Sequence, residues 1–295
     1  MALMTKLAAL ADRSLIQIAG SDWRSFLQGL ITQNVEALCD GAMAYGALLT
    51  PQGRLLHDMF IWAENGGAIL DVDADTREAL IAKLLMYRLR SKITITPLEG
   101  GVFALFPVEA AGSSADQPIG WRRDPRLAAL GWRAIRDAAP PPDCEIAELD
   151  AYHAHRIALG VPDLRRDGLS DKAYPVEADF DLLNGVDFAK GCFVGQETTS
   201  RMKRRGLIKT RLTTLSFEGP APPPGAEVLA APTAAEAATA LRAGEVLSGC
   251  EGRALALMRL DRAFGRALSV QGRMVRVSPA DWLLPALTPP APEAM

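Results

Sequence analysis

The sequence predicts an α+β protein built in three parts, and three observations predict it. Residues 46–142 alternate short apolar runs with an amphipathic helical stretch and close at the Pro140-Pro141-Pro142 break. Residues 143–212 carry a helical pattern followed by a cysteine set between glycines. Beyond Gly219-Pro220-Ala221-Pro222-Pro223-Pro224-Gly225, a stiff linker, short β-like runs take over, and a small β-barrel is expected.

The elements follow in order. Ser21 is placed to cap a helix whose Phe26, Leu27, Leu30 and Ile31 recur at helical spacing. Over residues 45–70 the pattern turns strand-like, with Ala47-Leu48-Leu49, residues 55–62 and Ala68-Ile69-Leu70 broken at Pro51-Gln52-Gly53 and Glu64-Asn65-Gly66-Gly67. The second break is a hairpin signal. Asp75 and Glu78 have the spacing of a capping box before a helix with Leu80, Ile81, Leu84 and Leu85 as its apolar stripe. Ile93-Thr94-Ile95 reads as the next strand, residues 150–159 as a helix, and a further helix is expected to open after Gly195. Glu227-Val228-Leu229 and Met274-Val275-Arg276-Val277 are barrel strands, and residues 285–295, rich in Pro and Ala, are expected to be an untethered tail.

Bulk properties bound the function. A 295-residue chain buries a full core without staples, and a net charge of -3 excludes a globally basic nucleic-acid binder, so direct nucleic-acid binding is not expected. Cys39, Cys144, Cys192 and Cys250 are scattered without C-x-x-C spacing, which argues against a disulfide framework or structural zinc, and no resident metal is expected. The amino-terminal residues lack a secretory pattern and no stretch reads as a membrane span, so a cytoplasmic location is expected. Asp71-Val72-Asp73-Ala74-Asp75 imitates a calcium loop, but Thr76 and Ala82 occupy the positions that need glycine and glutamate. His153 and His155, two apart, point about 200° apart on a helix and do not share one metal. No Walker loop or G-x-G-x-x-G run is present.

The chemistry is expected at Lys190-Gly191-Cys192-Phe193-Val194-Gly195-Gln196-Glu197. Thiolate is the reactive and metal-binding form of cysteine, and a nearby cation or helix amino terminus lowers its pKa. Lys190 supplies the first and a helix opening at Gln196 the second. Asp58 stands in an apolar setting that tends to raise its pKa. A basic run follows the block, Arg201, Lys203, Arg204, Arg205, Lys209 and Arg211 around Gly206, and reads either as a solvated face or as a patch for an anionic tail, RNA or an acidic protein.

The cysteine block, with Arg201 downstream, resembles the signature of the YgfZ-type folate-binding proteins, relatives of the aminomethyltransferase (T-protein) of the glycine cleavage system. Phe26-Leu27-Gln28-Gly29-Leu30-Ile31-Thr32-Gln33-Asn34-Val35, Leu49-Thr50-Pro51-Gln52-Gly53-Arg54 and Arg156-Ile157-Ala158-Leu159-Gly160-Val161-Pro162 look like the family's other blocks, in its order. The resemblance implies an aminomethyltransferase-like architecture. Residues 1–45 with 143–212 would form a discontinuous folate-binding domain, 46–142 an inserted ferredoxin-like unit, 213–284 the barrel and 285–295 a flexible tail.

It also implies tetrahydrofolate in a central cavity bounded by Asp58 and Glu177, with Gln196, Glu197, Arg201 and Arg211 as further binding residues and Cys192 with Lys190 at the rim. The implied role is an accessory one, supporting iron-sulfur cluster assembly or repair in client or assembly proteins and, through them, tRNA modification. The alternative is a tetrahydrofolate-dependent aminomethyltransferase. Against it stand Gln196, where T-proteins usually have histidine, a shorter chain, and Cys192, which the T-protein signature does not require. A pure scaffold stabilised by its ligand is the third reading.

Overall fold

The computed structural model describes residues 5–107, 118–136, 139–142, 144–205, 208–232 and 239–287. β1 (Thr5–Ala9), β2 (Arg13–Ala19) and α1 (Trp23–Gln28) lead into β3 (Met43–Leu49), β4 (Leu55–Glu64) and β5 (Gly67–Asp73). Then come α2 (Arg77–Arg88), β6 (Thr94–Leu98), β7 (Val102–Pro107), β8 (Arg122–Arg123), β9 (Trp132–Ile135) and β10 (Cys144–Ala147). α3 (Leu149–Ala158) is followed by a long irregular stretch and α4 (Gln196–Arg205). The last part holds β11 (Thr210–Ser216), β12 (Glu227–Ala230), β13 (Leu241–Cys250), β14 (Arg253–Arg259), α5 (Leu260–Ala263), β15 (Leu268–Val270), β16 (Arg273–Val277) and α6 (Leu284–Leu287).

These strands form two five-stranded sheets, β3-β4-β5-β2-β6 and β10-β1-β7-β9-β8, and a closed barrel, β11-β14-β13-β12-β15-β16. The first sheet is buried on both faces, which is why its strands read as apolar runs. One face, with Ile16, Ile18, Met59, Ile61, Leu70 and Val72, packs under α1 and α2 through Phe26, Leu27, Leu80, Ile81 and Leu84. The other, with Leu15, Tyr45, Phe60 and Ile69, joins a core that includes Ala8, Ala104 and Phe106 of the second sheet. Consecutive strands β1 and β2 part into different sheets, as do β6 and β7. The expected boundary between residues 45 and 46 therefore falls inside β3, and β2 pairs with both β5 and β6 from the following segment.

The hairpin at Asn65-Gly66 forms as expected, with Gly66 at φ +77° between paired Glu64 and Gly67. Two caps differ. Asp22, not Ser21, is the N-cap of α1, and its carboxylate accepts from the Lys92 N–H at 2.8 Å, which ties the helix to the start of β6. Thr76 is the N-cap of α2, because Asp73 already accepts the Thr76 N–H at 3.0 Å and leaves Asp75 in solvent. Leu85 of the expected stripe faces outward, 42% exposed. Gly206 and most of the expected tail, 288–295, lie outside the described residues. No described helix is long and apolar enough to cross a membrane.

Candidate functional site

Two stretches far from it in sequence converge on the cysteine block. From one side, the loop after α1 holds the residues leading into it: Asp187 N–H donates to the Thr32 carbonyl at 3.0 Å, Thr32 Oγ1 to Gly185 at 2.6 Å and Gln33 Nε2 to Asn184 at 2.7 Å. The Lys190 ammonium completes this side, donating to the carbonyls of Gln28, Ile31 and Gln33 at 2.8, 2.7 and 2.7 Å. From the other side, Gly195 at φ +78° lies against the turn between β3 and β4, where a Cβ would stand 2.6 Å from the Thr50 carbonyl oxygen. Phe193 is buried, and its N–H donates to Gln196 Oε1 at 3.3 Å as α4 opens. Between these anchors Gly191 and Cys192 are exposed. The result is a short ledge, fixed at both ends, with a thiol on its outer edge.

Several expected roles change. All three Lys190 protons go to carbonyls, so the lysine builds the ledge instead of facing the thiolate, and burial lowers its pKa to about 8. Arg211 is buried and donates to Asp179 at 2.6 Å, to both Asp181 oxygens at 3.0 Å and to the Val176 carbonyl, so it is a structural cation and not a folate anchor. Gln196 caps its own turn through Phe193, while Glu197 and Arg201 are exposed. Gln196, Glu197, Lys203 and Arg204 border a surface groove of about 450 Å³ walled by Phe188. Glu177 accepts from the Tyr174 N–H at 3.0 Å, closing a local turn, and burial raises its pKa.

The centre of the molecule is filled by ion pairs. Asp71 takes Arg13 Nε at 2.7 Å and Arg133 Nε at 2.5 Å, and these cations hold its carboxyl below the usual range against the rise that burial would cause. Arg126 forks onto Asp124 at 3.0 and 2.7 Å, and Arg156 onto Asp167 at 2.9 Å twice. Asp58 sits among them, accepting from Tyr45 Oη at 3.1 Å with Arg13 at 3.8 Å; burial raises its pKa. The space it lines, with Arg13, Arg126, Arg133 and Arg156, is about 10 Å³, and Glu177 is not on its wall. A ligand of folate size needs a cavity on the order of 300–1,000 Å³. Tetrahydrofolate does not fit in the space beside Asp58 as these residues stand.

In the sequence this network shows only as charge inside apolar strands, and Asp71 falls within the stretch that imitates a calcium loop. His153 Nδ1 accepts from Arg156 Nε at 3.1 Å, which puts the ring proton on Nε2, facing Asp12 at 3.0 Å. That proton occupies the lone pair a metal would need, although Asp12, His153 and Asp163 bring their ligand atoms within 4.8 Å of one another. His155 bonds separately, to the Ala129 carbonyl.

Residues 209–285 match the family described as CAF17, C-terminal beta-barrel domain. The chain is 35% identical over 250 residues to the human iron-sulfur cluster assembly factor IBA57, mitochondrial, covering 75% of this chain and 70% of that protein. It belongs to the IBA57 family of iron-sulfur cluster assembly factors. The mouse member is 33% identical over 282 residues, covering 87% of this chain and 78% of that protein. The Neurospora crassa IBA57 homolog, 34% identical over 244 residues, is longer; 73% of this chain matches 55% of it. The fold is shared with the glycine cleavage system aminomethyltransferase T from Bartonella henselae, at a TM-score of 0.74 and 17% identity over 94% of this chain and 85% of that one.

The resemblance seen in the sequence is thereby refined to IBA57, with the aminomethyltransferase-like architecture in place. The cytoplasmic expectation is corrected: the IBA57 relatives are named as mitochondrial proteins. Scattered cysteines without paired spacing suit any reducing compartment and do not separate the two.

Proposed function

We propose that this chain acts in iron-sulfur cluster assembly by offering the Cys192 thiolate as one protein ligand to a cluster or iron centre that a partner protein also holds. Exposure of Cys192 on a ledge anchored at both ends carries the reading. Iron-sulfur clusters are held by about four ligands, mostly thiolates. Among the described residues the one group of three or more potential metal ligands is Asp12, His153 and Asp163, which contains no cysteine. A single thiol fits a shared or transient site, in which a client or assembly protein contributes the remaining ligands. Iron-sulfur assembly is what the names of the relatives state of those proteins, and it suits this geometry.

The aminomethyltransferase alternative requires folate beside Asp58, and the arginine-filled centre weighs against it. The reading is tested by anaerobic reconstitution of the purified chain with ferric iron, sulfide and glutathione, the last supplying the missing thiolates. Iron and a visible thiolate-iron band are expected to travel with the wild-type chain on gel filtration and to be lost in Cys192→Ser. Equal iron in both would remove Cys192 from the mechanism.

A further inference from the structure

A cleft of about 680 Å³ lies where the barrel meets the rest of the chain, with β13, β14 and α5 on one side and residues 166–172 on the other. Clefts of roughly 300–1,000 Å³ at such junctions have the usual size and place of small-molecule sites. This one is separate from the space beside Asp58. Arg156 lines that space and Asp167 lines the cleft, so the fork that joins them stands between the two. The floor is aliphatic: Leu169, Leu247 and Leu257 belong to the core that the barrel shares with the body, and each also lines the cleft. No aromatic side chain lines it among the described residues, so a nucleobase or a pterin would find no ring to stack on.

The rim is basic on both sides. Arg242, Arg259 and Arg262 stand on the barrel and Arg166 and Lys172 on the opposite wall, against two acids, Asp167 and Glu245. Asp167 is buried and saturated: it accepts from Arg156 twice at 2.9 Å, from Ser248 Oγ at 2.5 Å and from the Asp163 N–H at 2.8 Å. Glu245 takes Arg242 at 2.6 Å, Asp261 takes Arg259 at 2.9 Å, and all four of these side chains are at least 40% exposed. Asp12 takes Arg166 at 2.9 Å from outside the wall. Exposed pairs of this kind are weak and exchangeable. Lys172 is exposed and has no ion pair among the described residues.

We infer that this cleft binds an aliphatic chain that ends in a carboxylate or a phosphate, with the chain along Leu169, Leu247 and Leu257 and the head among Lys172 and the rim arginines. The planar guanidinium fork suits either head, and the leucines offer the chain a dry wall. An uncharged aliphatic molecule would leave the cations unmatched, and a compact anion would leave the leucines in water. This inference stands apart from the role of Cys192.

Calorimetric titration of the full chain with dodecanoate and, separately, with dodecyl phosphate, both below their micelle concentrations, tests it. At least one is expected to bind with a dissociation constant on the order of 10–100 μM, and the tighter of the two identifies the head group. Dodecanol, which keeps the chain and drops the charge, should bind about tenfold more weakly or less. Lys172→Glu combined with Arg259→Glu, both with side chains at the surface, should stay folded by circular dichroism, weaken the anion about tenfold and leave dodecanol unchanged. The amide signals of Gly168, Gly225 and Gly244, which line the cleft, should move in nitrogen-15 spectra as the anion is added. Failure of both anions to bind, dodecanol as tight as the anions, a double variant that binds the anion like wild type, or unmoved glycine signals overturns the proposal. Tighter binding of ATP or 5-formyltetrahydrofolate at the same glycines overturns it as well.

Discussion

Gly53 and Gly195 meet backbone to backbone: a Cβ on Gly53 would stand 3.0 Å from the Gly195 carbonyl oxygen, and one on Gly195 would stand 2.9 Å from the Gly53 Cα. This contact joins the turn after β3 to the cysteine ledge, and both residues have positive φ, +87° and +78°. Sterics and backbone conformation therefore demand glycine twice at one junction.

Gly195→Ala should cost about 2–3 kcal/mol in urea unfolding, since it combines a disfavoured φ with overpacking against Thr50. Gly53→Ala should cost a similar amount. The double variant should lose less than the sum of the two, because the first substitution already opens the shared contact. Strict additivity would mean that the two glycines do not act as one junction.

Lys190→Met separates a structural lysine from a thiol-activating one. Removing the ammonium leaves the carbonyls of Gln28, Ile31 and Gln33 without their donor, and about 3 kcal/mol of stability should be lost. Native-state alkylation of Cys192 should stay as fast or speed up as the ledge loosens. Unchanged stability with alkylation slowed tenfold or so would return Lys190 to the role of thiolate partner.

How much of this site the sequence disclosed depends on distance along the chain. The Asn65-Gly66 hairpin, α3, the opening of α4 after Gly195 and the barrel strands were legible because each rests on local periodicity or turn chemistry. The blocks around Thr32, Gly53 and Cys192 were legible as motifs, but not that they touch. The direction of the Lys190 side chain is not legible, because two residues of separation from Cys192 on an irregular loop do not fix it. Asp71 lies 58 residues from Arg13 and 62 from Arg133, so the ion-pair centre that displaces the expected cavity had no local signature. The split of β1 and β2 between two sheets is likewise a choice of long-range pairing.

Asp71→Asn tests that centre. Arg13 and Arg133 both depend on the Asp71 carboxylate in a fully buried setting, and removing one member of such a group leaves charge uncompensated. A loss of about 3–5 kcal/mol is expected by denaturant unfolding at pH 7. A loss below about 1 kcal/mol would show that water reaches the arginines and that the centre is open.

His57 supplies a pH dependence with a definite sign. Burial, with a smaller contribution from Lys83, lowers its pKa from 6.5 to about 4. The unfolded chain therefore binds the proton first, and stability present above pH 6.5 is lost as pH falls through about 4. Between pH 7 and pH 4 the wild-type chain should lose about 2 kcal/mol more than His57→Gln, measured by urea unfolding at each pH. Parallel losses in the two proteins would place the imidazole in water.

The thiol on the ledge is tested most directly by aconitase activity in cells that lack this protein, complemented with wild-type or Cys192→Ser chains at equal abundance. Because Cys192 is exposed, the serine variant keeps the fold and isolates the sulfur. The wild-type chain should restore aconitase activity, and Cys192→Ser should leave it at the level of the deletion. Full restoration by Cys192→Ser would contradict the account.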